Sequence, residues 1–203
     1  GFEHISFDFI YGTKYDTNSF ITQELSLINT LPIDHVSSYN LIIEEGTPFA
    51  KNPNFRIERE ENYHHVKNII EGFDLPQYEV SNFGRYQSKH NQGYWEGKDY
   101  LGLGAGAVGT IHNKRIYTHK NLNDYIQNPL HKEIEHLSDE DKRIERILLG
   151  LRSNIGFNLS ELKKEEEKKL LILKKENKIV IQKERVKAND LFLADELALF
   201  MTR

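Results

Sequence analysis

Residues 78–109 hold the side chains of this sequence that are best suited to chemistry. His90 lies four and five residues before Tyr94 and Trp95, and Trp95 is the only tryptophan. An imidazole beside an aromatic pair suits a flat, unsaturated ligand or one that carries a metal. The competing interpretation is a glycine-rich turn region around a buried tryptophan, with His90 on the surface of an irregular loop.

Closely spaced glycines follow this aromatic pair. They occupy positions 102, 104, 106 and 109. The last three match G-x-G-x-x-G, which indicates dinucleotide binding only where it joins a strand to a helix. Residues 110–117 instead carry the pattern of a strand and a turn, so we reject a dinucleotide site. We interpret the glycines as positions where a strand passes close to a ligand or to neighbouring backbone.

Composition argues against several classes of function. The 203 residues carry a formal net charge of −4, which provides no overall attraction for nucleic acid. No apolar run approaches the roughly 20 residues that cross a bilayer. The absence of cysteine rules out, within this chain, disulfides and thiolate-bound zinc or iron–sulfur sites. That composition fits a reducing cytoplasm.

The elements that must position the candidate residues begin with a strand–helix–strand unit. Apolar residues alternate over 4–10, recur at helical spacing over 18–30, and return in a strand over 34–43. A crossover of this length makes the two strands parallel. Such sheets bind ligands at the carboxyl ends of their strands, and Asp8 lies near the end of the first strand. The alternative role for Asp8 is to accept hydrogen bonds from loop backbone.

Further elements follow downstream. They are a helix over 57–72, a short strand over 77–80, a hairpin over 110–117 with positive φ at Asn113, and a helix over 121–128. Composition then shifts toward charge-dense helices, and we place a domain boundary at 130–138. Beyond it we predict helices over 139–152 and from Ser160, strands over 178–181 and 185–187, and a last helix over 190–200.

The elements after the boundary describe a winged-helix-like module, which raises nucleic-acid binding as an alternative function. Its lysines, however, are interleaved with glutamates, as in KKEEEKK at 163–169. A phosphate-binding face needs a net basic patch, and this alternation largely cancels one. We therefore expect no nucleic-acid partner, and a module that packs against the first domain or recognises a protein.

Six segments match a known family in the expected order over nearly the whole chain. They are HISFDFIYG (4–12), DHVSSYNLIIEEGTPF (34–49), QYEVSNF (77–83), HNQGYW (90–95), DYLGLGAGAVG (99–109) and RIERILLGLRSNIGFNL (143–159). The chain thereby resembles the HemW-like heme chaperones and oxygen-independent coproporphyrinogen III oxidases, a branch of the radical S-adenosylmethionine (SAM) enzymes. The HNxxYW form favours the chaperones, because the oxidases lack it.

The resemblance implies an α/β fold with two parts. Residues 1–130 would be the C-terminal part of a partial (βα)6 radical SAM barrel, and residues 138–203 a mainly helical, winged-helix-like C-terminal domain. In that family a CxxxCxxC motif holds a [4Fe–4S] cluster beside SAM, whereas this chain has no cysteine and opens without Met directly into a strand. We therefore expect a C-terminal portion of a longer protein that is inactive alone, and whether the whole is an enzyme stays open.

The resemblance also assigns roles to single residues. Asp8 matches a strand-end aspartate that contacts SAM, and Ile42 and Val108 match positions that line SAM in the oxidases. His90 matches the histidine of HNxxYW, the heme ligand expected in the chaperones. Tyr94 and Trp95 complete the predicted heme contacts.

The function implied is that a cytoplasmic protein binds heme and delivers it to cytoplasmic-side or membrane-bound acceptor proteins. The rival activity is oxidative decarboxylation of coproporphyrinogen III to protoporphyrinogen IX. A third alternative is a nucleic-acid-binding winged helix attached to an inert barrel remnant. Because part of a barrel leaves its first strand with an open edge, a dimer that covers this edge is also expected.

Overall fold

Parallel pairing of two strands across one helix organises the first of two compact units, Gly1–Ser88. The computed structural model describes residues 1–57 and 59–203, without the side chain of Glu60. The elements of the first unit are β1 (Ser6–Tyr11), α1 (Asn18–Ile28), β2 (His35–Asn40), α2 (Glu60–Gly72) and β3 (Asn82–Gly84), with two short 3₁₀ turns at Pro48–Lys51 and Pro53–Phe55. The sheet order is β1-β2-β3, with β2 parallel to β1 and antiparallel to β3.

The helices of this unit cover one face of its sheet. Side chains alternate between the two faces of a strand, so Phe9 and Tyr11 of β1 point toward the helices and are buried. The core residues share this side of the sheet: Phe9, Tyr11, Ile21, Leu25, Ile28, Ile33, Val36, Tyr63, Val66, Ile70, Leu75 and Phe83. On the opposite face of β1, Ser6, Asp8 and Ile10 are exposed.

The second unit, Lys89–Arg203, contains two small antiparallel sheets and most of the helices. Its elements are α3 (Lys89–Trp95), β4 (Val108–Ile111), β5 (Lys114–Tyr117), α4 (Leu122–Gln127), β6 (Glu133–His136), α5 (Asp139–Leu151), β7 (Phe157–Asn158), α6 (Glu167–Lys175), β8 (Ile179–Gln182), β9 (Arg185–Ala188) and α7 (Ala194–Thr202). Sheet orders are β4-β5-β6 and β7-β9-β8. Helices α5, α6 and α7 with the β8–β9 hairpin form the winged-helix-like arrangement that the sequence predicts.

Several predicted boundaries agree with the structure. Thr17 caps α1 by accepting a hydrogen bond from the Phe20 N–H at 3.2 Å. Ser138 caps α5 in a capping box with Asp141. Both helices start where short polar side chains replace the missing backbone partners of the first turn.

Other expectations were wrong, each for a local reason. Residues 89–95 form a helix in place of the irregular loop of the competing interpretation, although Gly93 weakens helical propensity. Strand β6 was missed because all four of its residues are exposed and show no apolar alternation. The positive φ of the β4–β5 turn lies at His112, where φ is 55°, and not at Asn113. The helix predicted from Ser160 begins only at Glu167, after a 3₁₀ turn.

Two further expectations concern the ends of elements. The helix predicted over 57–72 begins at Glu60, and position 58 lies outside the described residues. The predicted strand over 77–80 is reduced to isolated bridge residues, among them Gln77, which pairs with Phe83. The domain boundary predicted at 130–138 stays a prediction. Within the described residues, no helix has the length and apolar character needed to cross a membrane.

Candidate ligand-binding site

Helix α3 brings His90 and Tyr94 together, because residues four apart share one face of a helix. Their ring centroids are 4.9 Å apart and the rings are nearly perpendicular, at 84°. Tyr94 in turn meets Tyr100 edge-on, with centroids 4.6 Å apart. His90 is exposed, and in the described part of the chain no hydrogen bond engages its ring nitrogens. An exposed imidazole at the end of an aromatic row can coordinate a metal that arrives from solvent.

Trp95 lies on a different side of α3. Adjacent helical residues point about 100° apart, so Trp95 cannot share the face of His90 and Tyr94. The Arg152 guanidinium lies 5.7 Å from the centroid of the Trp95 ring, in a cation–π contact. Trp95 lines a cavity of about 350 Å³ whose other walls include Phe157. The predicted pairing of Trp95 with His90 and Tyr94 is therefore absent from this geometry.

Val108 and Tyr94 line the same cavity, which has a volume of about 280 Å³. Val108 is the first residue of β4 and is partly exposed. The cavity lies within the second unit, and Tyr100 also contributes to its wall. The predicted SAM contact at Val108 and the predicted heme contact at Tyr94 thus converge on one space.

The glycine-rich segment lets two stretches of backbone touch. A methyl group added to Gly102 would lie 2.5 Å from the Val108 carbonyl carbon. One added to Gly109 would lie 2.8 Å from the Gly102 backbone nitrogen. Only glycine permits this approach. The segment leads into strand β4, which is inconsistent with a dinucleotide fingerprint.

Asp8 and Ile42 belong to the first unit. Asp8 is exposed on the face of the sheet opposite the core, beside Ser37 of β2. Strand β1 continues for three residues past Asp8, so this residue lies in mid-strand and not near the strand end as expected. Ile42 follows β2 by two residues, and 71% of its surface is exposed. Both side chains are accessible to a ligand.

Sequence reasoning missed a chain of polar side chains on the same face as Asp8, in which His35 and Tyr78 are buried. The two ring nitrogens of His35 hydrogen-bond with the Ser6 hydroxyl at 2.7 Å and with the Tyr78 hydroxyl at 2.8 Å. Burial lowers the pKa of His35, although the charges of Asp34 and Asp8 oppose this shift. Burial thus favours the neutral form of His35, whose two hydrogen bonds order this face of the sheet. The strand register pairs Ser6 with His35, and Tyr78 reaches them from a segment distant in sequence, so no local pattern signals the contact.

The residues present decide which cofactors could bind here. Thiolate ligands for an iron–sulfur cluster are absent from the sequence. Among the described residues, no group of three or more histidine, aspartate, glutamate or cysteine side chains could hold a metal ion. A cluster therefore has no ligands in this chain. A single axial imidazole, as at His90, suffices for heme iron.

Two curated bacterial proteins are similar in sequence to most of the chain. The heme chaperone HemW of Lactococcus lactis is 33% identical over 168 residues, which are 77% of this chain and 44% of that protein. The heme chaperone HemW of Bacillus subtilis is 31% identical over 170 residues, covering 77% of this chain and 45% of that protein. The chain therefore spans less than half the length of these relatives. No family model matches it.

A solved structure resembles the whole chain. Coproporphyrinogen III oxidase (HemN) from Escherichia coli, described as a radical SAM enzyme, matches with a TM-score of 0.75. The match covers 100% of this chain and 55% of that one, at 17% sequence identity. At this identity the likeness bears on the fold alone. It confirms the predicted α/β fold class, part of a radical SAM barrel followed by a mainly helical domain, with no closed barrel in the described residues.

Proposed function

Because the chain belongs to the HemW-like and oxygen-independent coproporphyrinogen III oxidase-like family of radical SAM proteins, we propose that it is part of a heme chaperone. The cytoplasmic protein would bind heme at His90 and deliver it to a cytoplasmic-side or membrane-bound acceptor protein. Two relatives above 30% identity are named heme chaperones, which supports this proposal over an oxidase.

One observation carries the proposal. His90 is exposed at the end of a row of three aromatic rings, with Tyr94 at 4.9 Å and Tyr100 beyond it. Axial iron ligation needs an accessible imidazole nitrogen, and the aromatic edge offers packing for a porphyrin face. Trp95 is less suited to that contact, because Arg152 covers its ring.

The residues assigned to SAM would form only part of its binding site, with the rest supplied by a longer protein. The exposed Asp8 carboxylate can accept hydrogen bonds from hydroxyl or ammonium groups. Ile42 and Val108 offer apolar contact. The [4Fe–4S] cluster that acts with SAM in this family would require ligands from a longer protein, so no chemical step is assigned to the residues present. The proposed extents of the two domains remain 1–130 and 138–203.

Heme titration of the full-length protein tests the proposal. We expect a shifted Soret band that saturates, and His90→Ala should weaken affinity about tenfold or more, because the axial bond is lost. His136→Ala is the matched control, since His136 is an exposed histidine on β6, remote in sequence. No Soret shift with either the wild-type or the control protein would refute heme binding.

The oxidase activity is the second candidate, favoured by the fold of the HemN structure. Incubating the reconstituted full-length protein with coproporphyrinogen III and SAM distinguishes the oxidase from the heme chaperone. Formation of protoporphyrinogen IX would favour the oxidase. The nucleic-acid alternative predicts salt-sensitive DNA binding, which the interleaved lysines and glutamates at 163–169 do not support.

A further inference from the structure

The cavity that Tyr94 and Val108 share is built between a helix and a hairpin. Lys142, Glu145 and Arg146 occupy one face of α5 at spacings of three and four residues. On the hairpin side, Thr110 of β4 pairs directly with Arg115 of β5, and both line the cavity. The cavity therefore depends on two regular elements of the second unit, which hold its polar groups in place.

Among the charged side chains that line this cavity, cations outnumber carboxylates. Four cationic side chains face two carboxylates, which leaves a net of two positive charges with histidine neutral. The six are Lys98, Asp99, Arg115, Lys142, Glu145 and Arg146. A partly enclosed space of this charge favours an anionic group, since its low-dielectric walls strengthen the attraction.

Internal ion pairs occupy some of these cations but not all. Arg115 pairs with Glu145, Lys98 pairs with Glu96, and Arg146 forms two hydrogen bonds of 2.8 Å with Glu161. The Lys142 ammonium has no hydrogen bond or ion pair within the described residues. The Arg115 Nε is buried and, among those same residues, lacks a hydrogen-bond acceptor. A buried donor without a partner is destabilising, so an incoming oxygen would be stabilised here.

The aromatic row connects the cavity with His90. Tyr94 and Tyr100 both line the cavity, and Tyr94 contacts the His90 ring. A volume of about 280 Å³ lies at the lower limit of pockets that enclose whole drug-sized ligands, about 300 Å³. A space of this size suits the side groups of a large flat ligand.

We propose that this cavity receives the carboxylate side groups of a tetrapyrrole whose ring lies against Tyr94 and reaches His90. The inference rests on the proposed heme binding and specifies which edge of the ligand is recognised. Lys142 supplies the free cation, and Arg115 supplies an unused donor. Carboxylates with these partners form charge-assisted hydrogen bonds.

Comparing heme with its dimethyl ester in full-length protein tests this inference. Esterification removes the negative charges and leaves the iron available to His90. We expect the wild-type protein to bind heme at least about tenfold more tightly than the ester. Lys142→Glu should remove most of this preference, and Lys142→Arg should retain it. The matched control is Lys168→Glu on α6, where an exposed lysine lies outside the cavity.

The outcomes separate this inference from the proposed function. Equal affinity for heme and ester, or heme affinity unchanged by Lys142→Glu, would overturn the carboxylate site while heme binding stands. Iron-free porphyrin in the His90→Ala protein provides a second measurement. This variant should still bind the porphyrin more tightly than the corresponding porphyrin ester, because carboxylate recognition does not need the axial ligand. Absence of heme binding by the wild-type protein would refute both proposals.

Discussion

At the scale of single residues, the turn after β1 depends on Asp16. The Asp16 carboxylate accepts hydrogen bonds from the Gly12 N–H at 2.6 Å, the Thr13 N–H at 2.9 Å and the Thr13 hydroxyl at 2.7 Å. Only 6% of its surface is exposed. Asp16 and Thr17 are both short polar residues before α1, and either type can cap a helix. The structure divides the roles, since Thr17 caps the helix and Asp16 organises the preceding turn.

Asp16→Ala should lower the free energy of unfolding by about 2–3 kcal/mol, because a buried donor is left without its acceptor. Thr17→Ala removes only the helix cap and should lower it by about 1 kcal/mol. Chemical denaturation of the two variants gives the comparison. An Asp16→Ala effect no larger than that of Thr17→Ala would contradict the role assigned to the carboxylate.

At the scale of elements, a network of charges joins α5 to the segment before α6. Arg143 of α5 donates to Glu140 at 2.7 Å and to Glu166 at 2.8 Å. Lys163 also donates to Glu140, at 2.8 Å. Glu166 is buried, with 4% of its surface exposed, so its charge needs the Arg143 partner. This network orients the helix that carries Lys142 and Arg146.

Because of this network, we expect the stability of the fold to depend on pH in the acid range. Hydrogen bonds from Arg143 and then Lys163 lower the pKa of Glu140 from 4.5 to about 2. A lowered pKa stabilises the fold above 4.5, and this contribution is lost as pH falls toward about 2. Glu140→Gln should therefore flatten the acid dependence of Tm in that interval. The control is Glu167→Gln, at an exposed position of α6. Equal acid dependence in wild-type and Glu140→Gln proteins would exclude this contribution.

At the scale of the whole molecule, the first sheet ends at an open edge. The order β1-β2-β3 leaves β1 with no strand on its outer side among the described residues. Ile10 of β1 and Leu27 of α1 are 58% and 65% exposed beside that edge. They border a groove of about 630 Å³. An apolar edge strand readily pairs with another chain.

We expect the isolated 203-residue chain to self-associate through this edge. Ile10→Lys should shift it toward the monomer, because an inserted charge opposes edge pairing. Light scattering over a concentration series measures the effect, with Ile172→Lys on the exposed side of α6 as the control. A wild-type chain that stays monomeric at all concentrations would refute the predicted dimer.

The sequence alone specified the features that depend on neighbours along the chain. Helix α5 begins directly after Ser138, as the capping residue indicates. Its apolar face, which includes Ile147 and Leu151, follows from the helical period. The parallel pairing of β1 and β2 follows from the length of the crossover between them. The family relationship follows from ordered motifs such as HNQGYW.

Features that join residues distant in sequence needed the folded chain. Strand β6 is fully exposed and is held by pairing with β5, so no apolar pattern announced it. Tyr94 and Trp95 are adjacent aromatic residues, and the sequence does not indicate that their surroundings differ. The helical turn of α3 directs them into different cavities. The cationic cavity exists only because α5 packs near the β4–β5 hairpin, which aligns Lys142 with Arg115. Local periodicity carries no information on such packing, which is why the cavity appears only in three dimensions.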